Sequence, residues 1–368
     1  MAYTYSRMPW GLIAGWPTLD PGVQTGRVID TTYTYEVNGE SWFVRLAAPV
    51  GQTSGSLTIH IYVIAETGTA DSWAAEVRNS AMTGGDDTDR PEASGSTLAT
   101  LSGVDLSGSA GTWVSLTFTG LTLVAGNSYF IIVHNTHATK ASNSLELQYR
   151  GGMDAILIPE SAQMFRSGYN TVGWLGDPAV SVGSACCVVK FDDGTLIGNP
   201  FVDNSLHASN ANDRGSRFVF TEDLLCSGLI HDVQNTLVSG VEINEAVGGA
   251  NIATRVCNTN DAFENRGVRF APPVTLRRGV AYDAVLTYSA ASATHTVYDM
   301  GEAEGSVPAD VLACVNFGNG TRGHVTGTTP GSYTLDKSKL SAIALILDSN
   351  PAKSRVLAHP GMAGGMVA

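Results

Sequence analysis

The sequence predicts an all-β protein of two tandem antiparallel β-sandwich domains, jelly-roll-like in type, preceded by an extended N-terminal arm. Three observations carry this. Apolar residues recur with period two, most cleanly at Leu57, Ile59, Ile61 and Val63, the pattern of a strand with one face buried. Charged residues make up only 15% of the chain, well under the roughly 25% of an average globular protein. Gly, Ser and Thr fill the difference, as in turn-rich β proteins. Finally, the chain carries the same plan twice.

The repeat is visible in two places. Leu123, Gly126 and Tyr129 lead into the apolar run Phe130, Ile131, Ile132 and Val133; Leu276, Gly279 and Tyr282 lead into Ala284, Val285 and Leu286, 153 positions later. Ser184 to Asp192 also has the pattern of Ser341 to Asp348, at a displacement of 157. Self-similarity at a nearly fixed displacement marks repeated modules, and a period of one domain's length excludes solenoids and propeller blades, whose repeats run roughly 20 to 50 residues.

Taken in order, residues 1–27 form the arm. Pro9, Trp10, Trp16, Pro17, Pro21 and Gly22 sit there among short apolar pieces without a period, a composition that extends and cannot make its own core. Trp10 and Trp16 are its candidate anchors, either on the chain's own first domain or on a neighbouring subunit, because Trp dominates interfaces. Domain 1, residues 28–195, has strands at 28–37 (Tyr33 and Tyr35 on one face), 41–46, 56–65, 113–118, 128–135, 144–149 and 185–191. A short helix or loop is expected around Ser72 to Met82, then an exposed acidic loop through Asp86, Asp87 and Asp89 to Pro91. Domain 2, residues 196–350, has strands at 217–220, 226–233, 252–257, 267–270, 281–288, 294–298 and 342–347. Short strands separated by Gly, Asn, Asp and Ser turns signal a sandwich. Residues 351–368 read as a tail.

A net charge of −13 argues against nucleic acid, which needs a basic patch and counterion release, and against an anionic membrane surface. At 43% hydrophobic residues two sizeable cores are accessible. The first ten residues lack a signal peptide's charged and apolar segments, and no apolar stretch approaches the 18 or so residues of a membrane span. The expectation is a chain made in a cytoplasm and kept soluble. Cys186, Cys187, Cys226, Cys257 and Cys314 are odd in number without CxxC spacing, which reads as buried reduced thiols.

The search for chemistry is mostly negative. Phosphate-cradle, HExxH, GxSxG and paired CxxC patterns do not occur. Gly318 to Gly323 fits GxGxxG, but His324-Val325-Thr326-Gly327 follows, which will not make the helix a dinucleotide site requires. His134 and His137 leave the end of an apolar strand and read as satisfied loop histidines. Asp86, Asp87 and Asp89 cluster in one loop; a solvated turn and a structural Ca²⁺ site are the two readings, since Ca²⁺ takes several loop oxygens, although the EF-hand pattern is absent. Tyr3/Tyr5 and Tyr33/Tyr35 could stack on sugar, or pair across strands. No catalytic residue and no cofactor site is assigned; two glycosidase carboxylates would meet only in the fold.

The Leu-x-x-Gly-x-x-Tyr-x-apolar stretches at Leu123 to Ile132 and Leu276 to Leu286 resemble the turn-plus-strand of carbohydrate-binding-type jelly-rolls. Similar modules recur in the decoration, spike and tail proteins of tailed bacteriophages, and the low charge, Gly/Ser/Thr richness and aromatic arm are similar to such virion proteins. The resemblance spans about residues 28–350 and transfers no binding or catalytic residue. It implies a non-enzymatic structural component of a virion, attached through the arm to other virion proteins or to copies of itself as a homo-oligomer, with an outer domain able to contact surface glycan. The rival is a carbohydrate-binding module pair, free or appended to a hydrolase; a third reading is a glycoside-active sandwich enzyme.

Overall fold

The computed structural model describes residues 6–8, 11–15, 23–30, 41–48, 55–80, 97–125, 127–151, 165–170, 182–208, 212–231, 238–256, 267–288, 294–315 and 320–348. An N-terminal hairpin of β1 (Ser6–Met8) and β2 (Gly11–Gly15) comes first. There follow β3 (Val23–Ile29), β4 (Ser41–Ala47), β5 (Ser56–Thr67), β6 (Trp73–Asn79), β7 (Thr97–Val104), β8 (Thr112–Thr119) and β9 (Ser128–Asn135). The first half closes with β10 (Ser144–Gly151), β11 (Phe165–Asn170), β12 (Val182–Ala185), β13 (Cys187–Phe191) and β14 (Leu196–Asn199). The second half contributes β15 (Asp203–Ala208), β16 (Asp213–Val219), β17 (Leu224–His231), β18 (Val238–Glu245), β19 (Asn251–Val256) and β20 (Gly267–Leu276). It ends with β21 (Ala281–Tyr288), β22 (Thr294–Asp299), helix α1 (Ala309–Val315), β23 (Thr321–Gly327), β24 (Thr334–Asp336), β25 (Lys339–Ser341) and β26 (Ile343–Asp348).

The fold is all-β and antiparallel, and its two halves share one topology. In the first, β7-β6-β9-β4-β11-β12 forms one leaf and β14-β13-β5-β8 the other; in the second, β19-β18-β21-β16-β23-β24 faces β2-β26-β17-β20. The pairing of β10 with β3 and β12 is matched by that of β22 with β15 and β25. Strand β5 is long enough to serve both leaves: Leu57 to Ile61 pair with β13, and Val63 to Thr67 pair with β10. Such a strand turns the corner of a sandwich.

Alternation fills the space between leaves. Leu57, Ile59, Ile61 and Val63 of β5 meet Val44 and Leu46 of β4, Trp73, Ala75 and Val77 of β6, and Tyr129, Ile131 and Val133 of β9 in the first core. Phe218, Val241, Ile243, Tyr282 and Leu286 meet Cys226, Leu229, Phe270, Ile343, Leu345 and Leu347 in the second. Each fully buried side chain of this size contributes roughly 1.5–3 kcal/mol. Pro272 and Pro273 fall in β20 at the edge of its sheet, where a missing N–H removes no ladder bond.

Three sequence expectations change. Residues 73–79 are a strand, not a helix or loop: Trp73, Ala75 and Val77 face the core while Glu76 and Arg78, on the other face, form a buried ion pair at 2.7 Å. The closing strands correspond at a displacement of 156, not 157, because the bends before them fall at Cys186 and Ala342. Cys187, Val189 and Phe191 face one core as Ile343, Leu345 and Leu347 face the other, and a one-residue slip would reverse every side chain. Within the leader, strand β2 pairs with β26 of the second half, Leu12 opposite Leu347 and Ala14 opposite Leu345.

Candidate functional site

The side chains with chemistry gather where the two sandwiches meet. On the outward parity of β5 and β8 the cross-strand pairs run Ser56–Thr119, Thr58–Thr117, His60–Ser115 and Tyr62–Trp113. This face is polar at one end and aromatic at the other. An aromatic pair on a parity that should face water means that something covers it, and the cover is the second half of the chain. Tyr62 and Trp113 meet edge to face at 5.6 Å and join Val188, Phe201, Tyr298, Met300, Val311 and Leu340 in a third core.

Directional bonds fix this seam. Trp113 donates its Nε1–H to the Met300 carbonyl at 2.8 Å, and Gln148 donates its side-chain amide to the Val202 carbonyl at 2.7 Å. The Tyr62 hydroxyl lies 3.1 Å from the Gly111 carbonyl oxygen and 3.3 Å from that of Gly301. Gly301 has φ +82°, and a Cβ there would stand 2.7 Å from the Tyr62 ring. The close approach therefore requires glycine.

One rim is a charge cluster. His60, 5% exposed, has Nδ1 2.8 Å from the Ser115 hydroxyl and Nε2 3.3 Å from an Asp310 carboxylate oxygen. Lys190 Nζ lies 2.9 Å from the same carboxylate, which sits in the first turn of α1, where a negative charge complements the helix dipole. Burial pushes the His60 pKa below its ordinary value and Lys190 adds to this, while Asp310 opposes it. A serine, a histidine and an aspartate are thus in contact, but the carboxylate is shared with an ammonium and the imidazole is a weaker base than usual. The set ties α1 to the sheet through His60 and Lys190.

Another rim, beside Trp113, is an open groove of about 590 Å³ lined by Asp299, Glu302, Glu304, Asp336 and Lys339. Glu302 accepts the Trp113 backbone N–H at 3.3 Å, Lys339 Nζ stands 3.6 Å from both Asp299 and Asp336, and Lys337 pairs with Glu304 at 2.7 Å. Among the described residues no group of three His, Cys, Asp or Glu is placed to hold a metal ion.

The sequence candidates divide. Trp10, Trp16, Asp86, Asp87 and Asp89 lie outside the described residues, as do Tyr3, Tyr5, Tyr33, Tyr35 and Cys257. His134 is 3.4 Å from Glu76, whose carboxylate it shares with Arg78, and His137 is 3.8 Å from Asp71. β23 begins at Thr321, within the GxGxxG stretch, and continues beyond it as a strand. Cys186, Cys187, Cys226 and Cys314 are buried free thiols, and burial raises Cys226 and Cys314 to about 12. The seam residues Tyr62, Trp113, His60 and Asp310 were not singled out by sequence; the signal was there in the two aromatics that continue a polar parity.

No family model matches this chain, and no curated protein matches it. Among solved structures it is similar to the M60 catalytic domain with the CBM51-1 and CBM51-2 domains of ZmpB from Clostridium perfringens, at 10% identity over 74% of this chain and a TM-score of 0.18. The chain spans 36% of that structure's length. It is also similar to a lectin from Pleurotus ostreatus in complex with GalNAc, at 9% identity, covering 88% of this chain and 85% of the lectin, with a TM-score of 0.18. At that TM-score neither superposition gives a residue-level correspondence.

Proposed function

We propose that this chain is a non-enzymatic structural protein, used in many copies as one rigid two-sandwich block, and that the assembly is a bacteriophage particle. The observation that carries the reading is the third core. Domains joined only by a linker move relative to one another by default; here Tyr62 and Trp113 are buried against Phe201, Tyr298 and Met300, with Lys190 paired to Asp310 and the Trp113 backbone N–H bonded to Glu302 across the join. A block of this kind transmits position across an assembly. The groups with catalytic potential support the same reading, because His60, Asp310 and Lys190 are engaged with one another in holding the seam. The particle itself rests on the sequence resemblance. Sedimenting a lysate of the native source through a density gradient tests it: comigration with a particle of megadalton size is expected, and recovery solely in low-mass soluble fractions overturns it.

A second reading, glycan contact by the same block, is favoured by the open end of the β5/β8 face. Ser56 donates to Asp192 at 3.0 Å, and the Thr58 and Thr117 hydroxyls are 2.9 Å apart, a flat array of hydroxyls and carboxylate able to pair with sugar hydroxyls. A glycan array probed with the purified chain and with T58A/T117A decides it: binding lost in the variant supports the face, and no binding by the parent removes the reading.

A further inference from the structure

Each sandwich is finished by a strand that belongs to the other. β14 pairs antiparallel with β13 and places Ile197 in the first core, then leads through residues 200–202 into β15, the first strand of the second sandwich. β2 pairs antiparallel with β26 and places Ala14 in the second core, then leads through residues 16–22 into β3, the first strand of the first sandwich.

The registers coincide. Ile197 stands opposite Val189 and Gly198 opposite Val188, while Ala14 stands opposite Leu345 and Gly15 opposite Ala344. Val189 and Leu345 are corresponding positions of the two closing strands, as are Val188 and Ala344. The sequences agree as well: Ile13-Ala14-Gly15-Trp16-Pro17 and Leu196-Ile197-Gly198-Asn199-Pro200 share two apolar residues, a glycine and a proline in the same places, 183 positions apart. At Gly198, φ is +149° and a Cβ would stand 2.1 Å from the Cys187 carbonyl oxygen. Gly15 occupies the equivalent register position.

The leading strand of the second sandwich therefore closes the sandwich before it in the chain. β2, which leads into the first sandwich, has the same register on a closing strand, and within one chain that strand is β26. We infer that in the assembly β2 closes β26 of a second copy of this chain, so that copies join head to tail by the strand donation that already joins the two sandwiches. This deepens, and rests on, the reading of the chain as a multi-copy structural protein.

The exchange conserves every backbone bond of β2 and the burial of Ala14. Its balance is set by copy number against the effective concentration of the strand joined within its own chain. The covered strand cannot be left open. Ile343, Ala344, Leu345, Ile346 and Leu347 are a buried apolar run without charge or proline, the kind of edge that recruits another chain.

The test uses full-length chains. Ile13 and Ile346 are opposed in register, as are Ala14 and Leu345; adjacent pairs alternate between wider and closer spacing, so I13C with I346C and A14C with L345C sample both, and the closer couple meets the Cα separation of a disulfide. Two differently tagged chains, each carrying one cysteine of a couple, are co-expressed, mildly oxidised and run on a non-reducing gel. The expected result is a covalent heterodimer that is absent from either single variant alone and grows with total concentration. A chain carrying both cysteines that locks entirely as a monomer, with no heterodimer from the co-expressed singles, overturns the inference. So does the absence of any cross-link in both couples, which removes β2 from β26. The outcome is separable from particle sedimentation: a monomeric lock with particle comigration retires strand exchange alone, and a heterodimer without a particle retires the bacteriophage assignment alone.

Discussion

Tyr129 and Tyr282 make the same hydrogen bond in the two sandwiches: each hydroxyl accepts the backbone N–H of the residue five positions earlier, Val124 at 2.6 Å and Arg277 at 2.9 Å. The turns between these residues also close alike, Asn127 donating to the Val124 carbonyl at 3.1 Å and Val280 to that of Arg277 at 3.3 Å. A turn amide with no ladder partner needs an acceptor when it is withdrawn from water. The Leu-x-x-Gly-x-x-Tyr repeat is thus a repeat of one hydrogen-bonded corner.

Replacing either tyrosine by phenylalanine should cost about 1 kcal/mol, the net worth of such a bond. Urea unfolding of Y129F and Y282F should show lowered midpoints with the slope unchanged. Midpoints equal to the parent's would mean that the corner is held by packing alone.

Trp113 joins the halves through both its ring and its Nε1–H. The variant W113A should lose about 3–5 kcal/mol, the range for truncating a buried aromatic, and calorimetry should resolve two unfolding transitions where the parent has one. A single transition at the parent's temperature would show that the sandwiches are not coupled through the third core.

Gly198 is required twice, by φ +149° and by contact with Cys187, whereas Gly108 has φ +74° with open space around its missing Cβ. Backbone strain alone costs of order 1–3 kcal/mol. G198A should therefore destabilise more than G108A in parallel melts, and equal losses would remove the contact argument.

His60 gives the seam a pH dependence of definite sign. Its folded pKa lies below 6.5, held down by burial and then by Lys190, against Asp310. Between that value and 6.5 the unfolded chain binds a proton that the folded chain does not, so stability falls as pH drops through this window and is regained toward 6.5 and above. Urea midpoints at pH 5 and pH 7 should differ less in H60Q than in the parent; identical differences would exclude His60 as a source.

What the sequence disclosed follows from how far each signal reaches. The alternation of Leu57 to Val63 and the Tyr corners are local, and both were legible. Strand β6 was not, because Ala74, Ala75, Glu76 and Arg78 favour helix by propensity, and the buried Glu76–Arg78 pair puts charge where a strand facing the protein interior would show apolar residues. The closing strands aligned one residue out of phase since Ser184-Ala185 and Ser341-Ala342 match in composition while the bends sit at Cys186 and Ala342. The seam was hidden for a different reason: Tyr62 and Asp310 lie far apart in the chain, and only the fold brings their elements together. The five-residue Gly-x-Pro motif of the two donated strands was present throughout, too short to stand out until its register was known.

The pairing of β2 with β26 also sets an order of events during synthesis. β2 is made roughly 330 residues before β26, and at about 5–20 residues per second that delay is on the order of tens of seconds. The first sandwich can complete itself as soon as β14 emerges, whereas the second stays unfinished until β26 is made. Throughout that interval β2 of a nascent chain has yet to meet its own β26, so translation on adjacent ribosomes gives the timing in which it can be joined to the newly made β26 of a neighbour.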